Sequence, residues 1–197
     1  MAWHCSQKLI RDLRFAAIDF ESAGKIRGRT DVPVQIGIAS WSWEKGWQEG
    51  FMSYLHCPHE VTWQASRIHG ITTKDLMGAP RLINLWPEVR SRLQGAVIVA
   101  HAHGTEKKFL RTFPGHGFAP WVDTLVWARR IWPNLPSYTL ESVCQHAQVI
   151  DEINAICTTS RWHDALYDAT ASLCLLRHMI LSQNLLDSPV DVLLQDE

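Results

Sequence analysis

The chain has 197 residues, a formal net charge of −1 at pH 7 and 46% hydrophobic residues. This composition suits one globular domain with a sizeable core, and it excludes disorder, collagen and coiled coil as descriptions of the whole chain. The near-neutral charge also excludes a uniformly basic surface, so any contact with nucleic acid has to be local.

Cellular context follows from three further observations. No stretch approaches the apolar length of a membrane span, and the N-terminus alternates polar and apolar residues where a secretory signal has its apolar core. The five cysteines are scattered without a Cys-x-x-Cys pair, which argues against a disulfide framework. We therefore expect a cytoplasmic protein with reduced thiols and no membrane contact.

The first predicted elements form a meander. Residues 14–20 (RFAAIDF) are an apolar run that predicts a buried strand ending in acidic residues. Residues 32–43 alternate well enough for a second strand, and residues 47–55 return as a third after a turn near Gly46. Three antiparallel strands are expected.

Helices and strands then alternate. Thr72 and Thr73 can cap a short helix through Met77, and apolar residues recur at helical spacing over residues 82–93. The later predictions are a strand at 96–100, a helix at 105–111, a strand leading into a helix over 121–130, and helices at 138–148 and 164–181. Loops are expected at 113–120, 133–137 and 149–161.

The domain organisation predicted from this pattern is a single domain over residues 1–182 and a C-terminal tail over residues 183–197. The tail mixes a proline, acids and leucines without a clear period, so it is either a docking peptide or a frayed end, and we favour the frayed end.

Acidic residues recur at the ends of predicted elements. Asp19 and Glu21 lie two apart at the end of a strand, so both carboxylates point to one face and can contact one hard cation. Glu106 opens the helix that follows the AVIVA strand, and Asp168 lies in the first turns of the last helix. His163, just ahead of that helix, suits a general base beside a metal ligand.

In this order the residues resemble the DnaQ-like 3′-to-5′ exonucleases, in the DEDDh subgroup whose third motif ends in His-x-x-x-x-Asp. The resemblance runs from about residue 15 to about residue 182 and is carried by AIDFES, RIHGITTKDLMGAP, VDTLVWARR with SYTLESVCQH, and HDALYDA. It implies an α/β fold of the ribonuclease H-like type, with a five-stranded mixed β-sheet flanked by α-helices.

The resemblance also implies a mechanism. Two divalent cations, Mg²⁺ or Mn²⁺, would be held by four carboxylates, with His163 taking a proton from the attacking water. The implied metal ligands are Asp19, Glu21, Glu106 and Asp168. The expected reaction releases nucleoside 5′-monophosphates from single-stranded 3′ ends, with DNA slightly preferred over RNA.

The same resemblance implies that Phe20, through its backbone, and Ser22, Ile68 and His69 hold or wedge the terminal nucleotide. Ordinary core packing is an equally good explanation of Ile68. Asp123 is expected to support the site, with a smaller chance of acting as a reserve ligand.

The second motif departs from the family pattern. It reads HAHGTE, with Ala102 where the family has asparagine and Glu106 where it has the metal-binding aspartate. Glutamate keeps the charge and the oxygen donor but lengthens the side chain by one methylene, so the second cation can sit differently.

Other possibilities remain open at this stage. One is an exoribonuclease that trims RNA 3′ ends, and another is a catalytically silent nucleic-acid-binding adaptor that docks a polymerase or clamp. A homodimer is equally compatible with the sequence. Zinc at residues 56–59 (HCPH) is disfavoured because no second pair completes the site. The tryptophan-rich stretches at 41–47 and 127–132 are expected to be packing rather than a stacking groove.

Overall fold

A computed structural model of the chain describes residues 8–25, 27–28, 30–158 and 160–194. The expectations made for the N-terminal residues 1–7, including the thiol of Cys5, and for the last three residues of the tail lie outside these ranges. No helix in the described part of the chain has the length and apolar character needed to cross a membrane.

The elements follow one another as a meander and then as alternating helices and strands. The strands are β1 (Arg14–Ser22), β2 (Pro33–Ser42), β3 (Gly46–Trp47), β4 (Phe51–Tyr54), β5 (Val97–Ala100) and β6 (Trp121–Asp123). The α-helices are α1 (Trp63–His69), α2 (Trp86–Leu93), α3 (Gly104–Leu110), α4 (Thr124–Ile131), α5 (Leu140–His146), α6 (Ile150–Ile156) and α7 (Ala165–Ser182). Short 3₁₀ turns lie at Ile10–Asp12, Leu82–Leu85 and Val190–Val192.

The sheet is mixed and has five strand positions. Its order is β3-β2-β1-β5-β6, with β4 also paired to β2. The β1–β2 pairing is antiparallel, and the β1–β5 and β5–β6 pairings are parallel. The predicted third strand is split: β3 pairs with the end of β2 at Trp41 and Ser42, and β4 pairs with Gln35 to Ile38. Six segments therefore fill the five positions expected from the sequence.

Alternation along β1 divides the core into two layers. Phe15 and Ala17 pack in a cluster with α7, whereas Ile18 and Phe20 pack in a second cluster with residues of α2 and α3. Since side chains two apart in a strand share a face, Asp19 and Glu21 continue the row that faces α7.

Two local predictions are wrong, and one helix was not predicted. Residues 72–77 form successive turns and no helix, because the Asp75 carboxylate accepts hydrogen bonds from the Thr72 backbone N–H and hydroxyl and stabilises a tight turn. The helix α1 was not predicted, although the Thr62 side chain caps it and Gly70, with φ of 80°, ends it. The helix α6 lies within the expected loop at 149–161.

The frayed end expected beyond residue 182 is also wrong for residues 183–194. Leu9 and Pro189 form an isolated bridge, and Val190 and Leu193 are fully buried. The Trp127 indole N–H donates a hydrogen bond to the Leu193 carbonyl at 3.1 Å. The segment has little regular secondary structure, but its buried side chains cover one side of the main core.

Candidate active site

The acidic pair on β1 faces the start of α7. Asp19 lies opposite Gly37 on β2, and Glu21 lies opposite Gln35. A methyl group on Gly37 would overlap the backbone of Ala165 and Leu166. Only glycine therefore allows the first turn of α7 to lie directly against the sheet beside the two carboxylates.

Gln35 fastens the first turn of α7 to the sheet. Its amide nitrogen donates to the Asp164 carboxylate at 3.0 Å, and its amide oxygen accepts from the Ala165 backbone N–H at 2.9 Å. The other Asp164 oxygen caps the helix by accepting from the N–H groups of Leu166 and Tyr167. Sequence reasoning missed Gln35, although a lone amide in an otherwise apolar central strand was a signal for a buried hydrogen-bonded role.

This docking brings the third motif to the acidic pair. Ligand atoms of Glu21, His163 and Asp168 all lie within 4.8 Å of one another. Asp168 is on the first turn of α7, and His163 is exposed just before the helix cap with φ of 65°. The imidazole predicted as the base is thus beside two of the predicted ligands.

Glu106 approaches the same place from the other layer. It is 5% exposed in the first turn of α3, and the charge of Asp19 acts on its carboxyl group. Asp123 holds the loop before α3 by accepting from the backbone N–H groups of Ala102 and His103, at 3.0 and 3.2 Å. These bonds agree with the supporting role expected for Asp123.

Burial and mutual repulsion both disfavour ionisation of the four carboxyl groups. Burial raises the pKa of Asp19 to about 7, and burial together with the charges of Asp19 and Asp168 raises that of Glu21 to about 9. Burial and the charge of Asp19 raise the pKa values of Glu106 and Asp168, each to about 8. Four acids that resist ionisation together are a site suited to cations.

The donor set fits divalent metal ions. Glu106 Oε2 and Asp168 Oδ1 are buried, and neither has a hydrogen-bond partner among the described residues. Carboxylate oxygens are the ligands that Mg²⁺ and Mn²⁺ prefer, and a bound cation would neutralise the mutual repulsion. The residues present therefore fit the metals that the sequence predicts.

Three of the residues predicted to hold substrate, Ser22, Ile68 and His69, line a cavity of about 360 Å³ that Glu21 also lines. Ile68 is 58% exposed, so core packing does not explain it. The buried His69 ring accepts from the Ile71 N–H at Nδ1 and contacts the Ser22 carbonyl through Nε2, at 3.0 and 3.1 Å. Its neutral form, with the proton on Nε2, thus ties α1 to β1.

Further predictions concern Phe20 and residues away from this cluster. The Phe20 ring is buried against Phe109, with 5.4 Å between ring centroids, so the side chain belongs to the core. Trp41 packs edge-on against Trp43 at 4.4 Å, and Trp127 is buried, which confirms packing for these tryptophans. Within the described ranges, three potential metal-ligand atoms come within 4.8 Å of one another only at Glu21, His163 and Asp168.

The arrangement defines a class of protein. A mixed sheet flanked by helices, with acids gathered where β1, α3 and α7 meet, is the ribonuclease H-like fold of DnaQ-like nucleases. Solved structures share it. Exonuclease X in complex with 5′ overhanging duplex DNA has a TM-score of 0.67 and 21% identity, covering 89% of this chain and 96% of that one. The nuclease domain of 3′hExo, a DEDDh family member bound to rAMP, has a TM-score of 0.71 and 12% identity, covering 91% and 96%.

Sequence comparison gives the family. The model of the RNase_T exonuclease family matches residues 16–176. The DNA polymerase III epsilon subunit of Aquifex aeolicus is 27% identical over 165 residues, which cover 81% of this chain and 76% of that protein. The PolC-type DNA polymerase III of Thermotoga maritima is 28% identical over 141 residues, 68% of this chain but only 10% of that protein. The chain belongs to the DnaQ-like family of 3′-to-5′ exonucleases, hydrolases that use divalent metals.

Proposed function

We propose that this protein removes nucleotides one at a time from single-stranded 3′ ends, releasing nucleoside 5′-monophosphates, with DNA slightly preferred. The observation that carries the proposal is the convergence of Glu21, His163 and Asp168 within 4.8 Å, together with the electrostatic coupling of Asp19 to Glu21, Glu106 and Asp168. The similarity to an epsilon subunit over most of both chains supports DNA as substrate.

Each residue has a chemical part in this reaction. Asp19, Glu21, Glu106 and Asp168 would hold two divalent cations, Mg²⁺ or Mn²⁺. When bound, these cations supply positive charge that activates water and stabilises charge on the phosphate and the leaving 3′ oxygen. The exposed imidazole of His163 takes the proton of the attacking water, as a general base. Water adds across the P–O3′ bond, so the mononucleotide keeps the phosphate and the shortened strand ends in a hydroxyl.

The side chains around the cavity supply the binding part. Ile68 offers an exposed apolar surface beside Glu21, which suits it to pack against or wedge the terminal base. On β1, Phe20 lies between Asp19 and Glu21, and Ser22 follows Glu21 and lines the same cavity. His69 contributes by fixing α1, since both of its ring nitrogens are engaged within the protein.

Release of mononucleotides from 3′-labelled single-stranded DNA and RNA of one sequence tests the proposal, with Mg²⁺, Mn²⁺ or EDTA. Asp19→Ala should abolish release, and His163→Ala and Glu106→Ala should each lower it by roughly 100-fold or more, because each removes a reacting group or a ligand. Asp151→Asn, at an exposed acid on α6, is the matched control and should match wild type.

The two alternatives predict different results in the same assay. Faster release from RNA than from DNA would identify an exoribonuclease. Binding of both strands with no release under any metal, by folded protein, would contradict the proposal and indicate a silent adaptor. Association with a polymerase or clamp, or with a second copy of the chain, stays a separate proposal, since the chain spans about a tenth of the PolC-type polymerases that it matches.

A further inference from the structure

One tryptophan stands apart from the others in the described part of the chain. Trp63 is 67% exposed, whereas the remaining described tryptophans are buried or partly buried. An indole ring exposed to water presents a large apolar surface, and burying part of that surface against a ligand is favourable. Trp63 is the first residue of α1, the helix that borders the predicted binding cavity.

The position of α1 is fixed against the acidic strand. The Thr62 N–H donates to the Ala23 carbonyl at 2.8 Å just before the helix, and the His69 ring holds the Ser22 carbonyl at its end. A methyl group on Gly24 would overlap the Thr62 hydroxyl, so the chain after β1 and the start of α1 are in close contact. The helix α1 is therefore held against the end of β1, next to the cavity that Glu21 lines.

Two adjacent stripes of α1 face outward. Gln64 and Ile68, four residues apart, line the cavity that Glu21 also lines. Trp63 and Arg67 are likewise four apart, and they form the next stripe around the helix, since successive residues are rotated by about 100°. A nucleic-acid strand whose 3′ end lies beside Ile68 can thus continue over Trp63 and Arg67.

The second stripe combines an aromatic ring with a positive charge. The Arg67 guanidinium lies 4.8 Å from the centroid of the Trp63 ring, close enough for a cation–π contact that orients the indole. The side chain of Lys25, also exposed, lines the adjoining cavity and adds a second positive charge. A stacking surface beside positive charges complements a base and its phosphate, the two parts that every nucleotide presents.

We propose that Trp63 and Arg67 form a subsite for a nucleotide upstream of the terminal one, in which an unpaired base stacks on the indole and its phosphate contacts the guanidinium. The proposal rests on the proposed function and names the occupant as single-stranded nucleic acid. A base inside a duplex hides both of its faces, so the subsite favours unpaired strands. Stacking tolerates all four bases, so the subsite adds affinity without sequence preference.

Equilibrium binding tests this subsite independently of hydrolysis. Fluorescence anisotropy in Mg²⁺ measures the Kd of dye-labelled oligothymidylates with phosphorothioate linkages, of two and of ten nucleotides. Trp63→Ala should weaken binding of the ten-nucleotide strand by roughly 5- to 100-fold, as expected for the loss of one stacked base. The loss should be smaller for the dinucleotide. Trp63→Phe keeps a ring and should recover most of the affinity.

Leu181→Ala is the matched control, because it also truncates an exposed apolar residue. Leu181 is on the same helix as Asp168 and about 20 Å further along it, at a rise of about 1.5 Å per residue. Thermal melting of each variant verifies folding.

The proposal is overturned if Trp63→Ala binds the ten-nucleotide strand within twofold of wild type, if phenylalanine restores nothing, or if wild type does not bind. These results are distinct from failure of the proposed function. If the wild-type protein hydrolyses DNA but its binding does not depend on Trp63, the exonuclease proposal holds and the subsite proposal fails. If binding depends on the ring at residue 63 but no nucleotide is released with any metal, the subsite proposal holds and the exonuclease proposal fails.

Discussion

Glu106 is the residue at which this chain departs from its family, and its surroundings support a ligand role. Its carboxylate is buried, carries one oxygen without a hydrogen-bond partner among the described residues, and lies within the electrostatic reach of Asp19. A buried carboxylate is unfavourable unless it is protonated or paired, so Glu106 carries its charge only beside a compensating partner. A divalent cation between the acids is a partner of the right charge.

The raised pKa values give a stability prediction with a definite sign. The acids range in pKa from about 7 for Asp19 to about 9 for Glu21, against about 4 in the unfolded chain. Between about pH 4 and pH 9 the folded protein therefore binds more protons than the unfolded chain, and the metal-free free energy of unfolding should fall as pH rises. Urea unfolding in EDTA from pH 5 to pH 9 measures this decline.

Glu106→Gln should reduce that decline by roughly 2 to 4 kcal/mol, because the amide does not ionise. The exposed control Asp151→Asn should keep the wild-type slope. Adding Mg²⁺ to wild type at pH 8 should restore stability, since the ion favours the charged carboxylates. A flat pH profile in EDTA would show that the acids are not crowded as described.

At the scale of elements, the contact between β2 and α7 sets the geometry of the site. Gln35 and Gly37 alternate with apolar residues on β2 and hold the first turn of α7 over Asp19 and Glu21. Asp168 and His163 reach the acids only because this turn lies directly on the sheet.

Substituting Gly37 tests this contact. Gly37→Ala places a methyl group into the backbone of Ala165 and Leu166, so α7 has to move away from the sheet. We expect a loss of about 3 kcal/mol or more in stability and of about 100-fold in activity where the fold survives. Gly117→Ala is the matched control, because its added methyl would meet nothing within 4 Å. Wild-type activity in Gly37→Ala would contradict the close docking.

At the scale of the whole molecule, the last described residues complete the core. Val190 and Leu193 are buried, and the bridge between Leu9 and Pro189 joins the two ends of the described chain. Trp127, on a helix more than sixty residues earlier, bonds to the Leu193 carbonyl. The segment at 183–194 therefore contributes to the stability of the whole fold, although it has little regular structure of its own.

Leu193→Ala should cost roughly 2 to 5 kcal/mol of unfolding free energy, because it leaves a cavity under the segment. Val192→Ala, at a residue that is 39% exposed, should cost less than about 1 kcal/mol. Urea denaturation compares the two variants. Equal, small losses would mean that the segment does not pack on the core in solution.

The sequence alone determined the alternating strand that carries Asp19 and Glu21, the meander after it, and the long last helix with Asp168. Strong periodicity and unbroken apolar runs fix these elements locally, and the order of the acidic motifs identifies the family. It also singled out the acids that the structure brings together, since their residue types and places at element ends are visible in one dimension.

Only the tertiary structure decided the rest. Contacts between residues far apart in sequence determine the exposure of Ile68 and the hydrogen bonds of Gln35. Such contacts also explain why residue 37 is glycine. The turns at 72–77 and the packed segment at 183–194 were misjudged for the same reason, because a local pattern does not reveal the side-chain bond or the core surface that competes with it. The exposure of Trp63 on α1 likewise follows from how the chain folds back on β1, which no spacing in the sequence records.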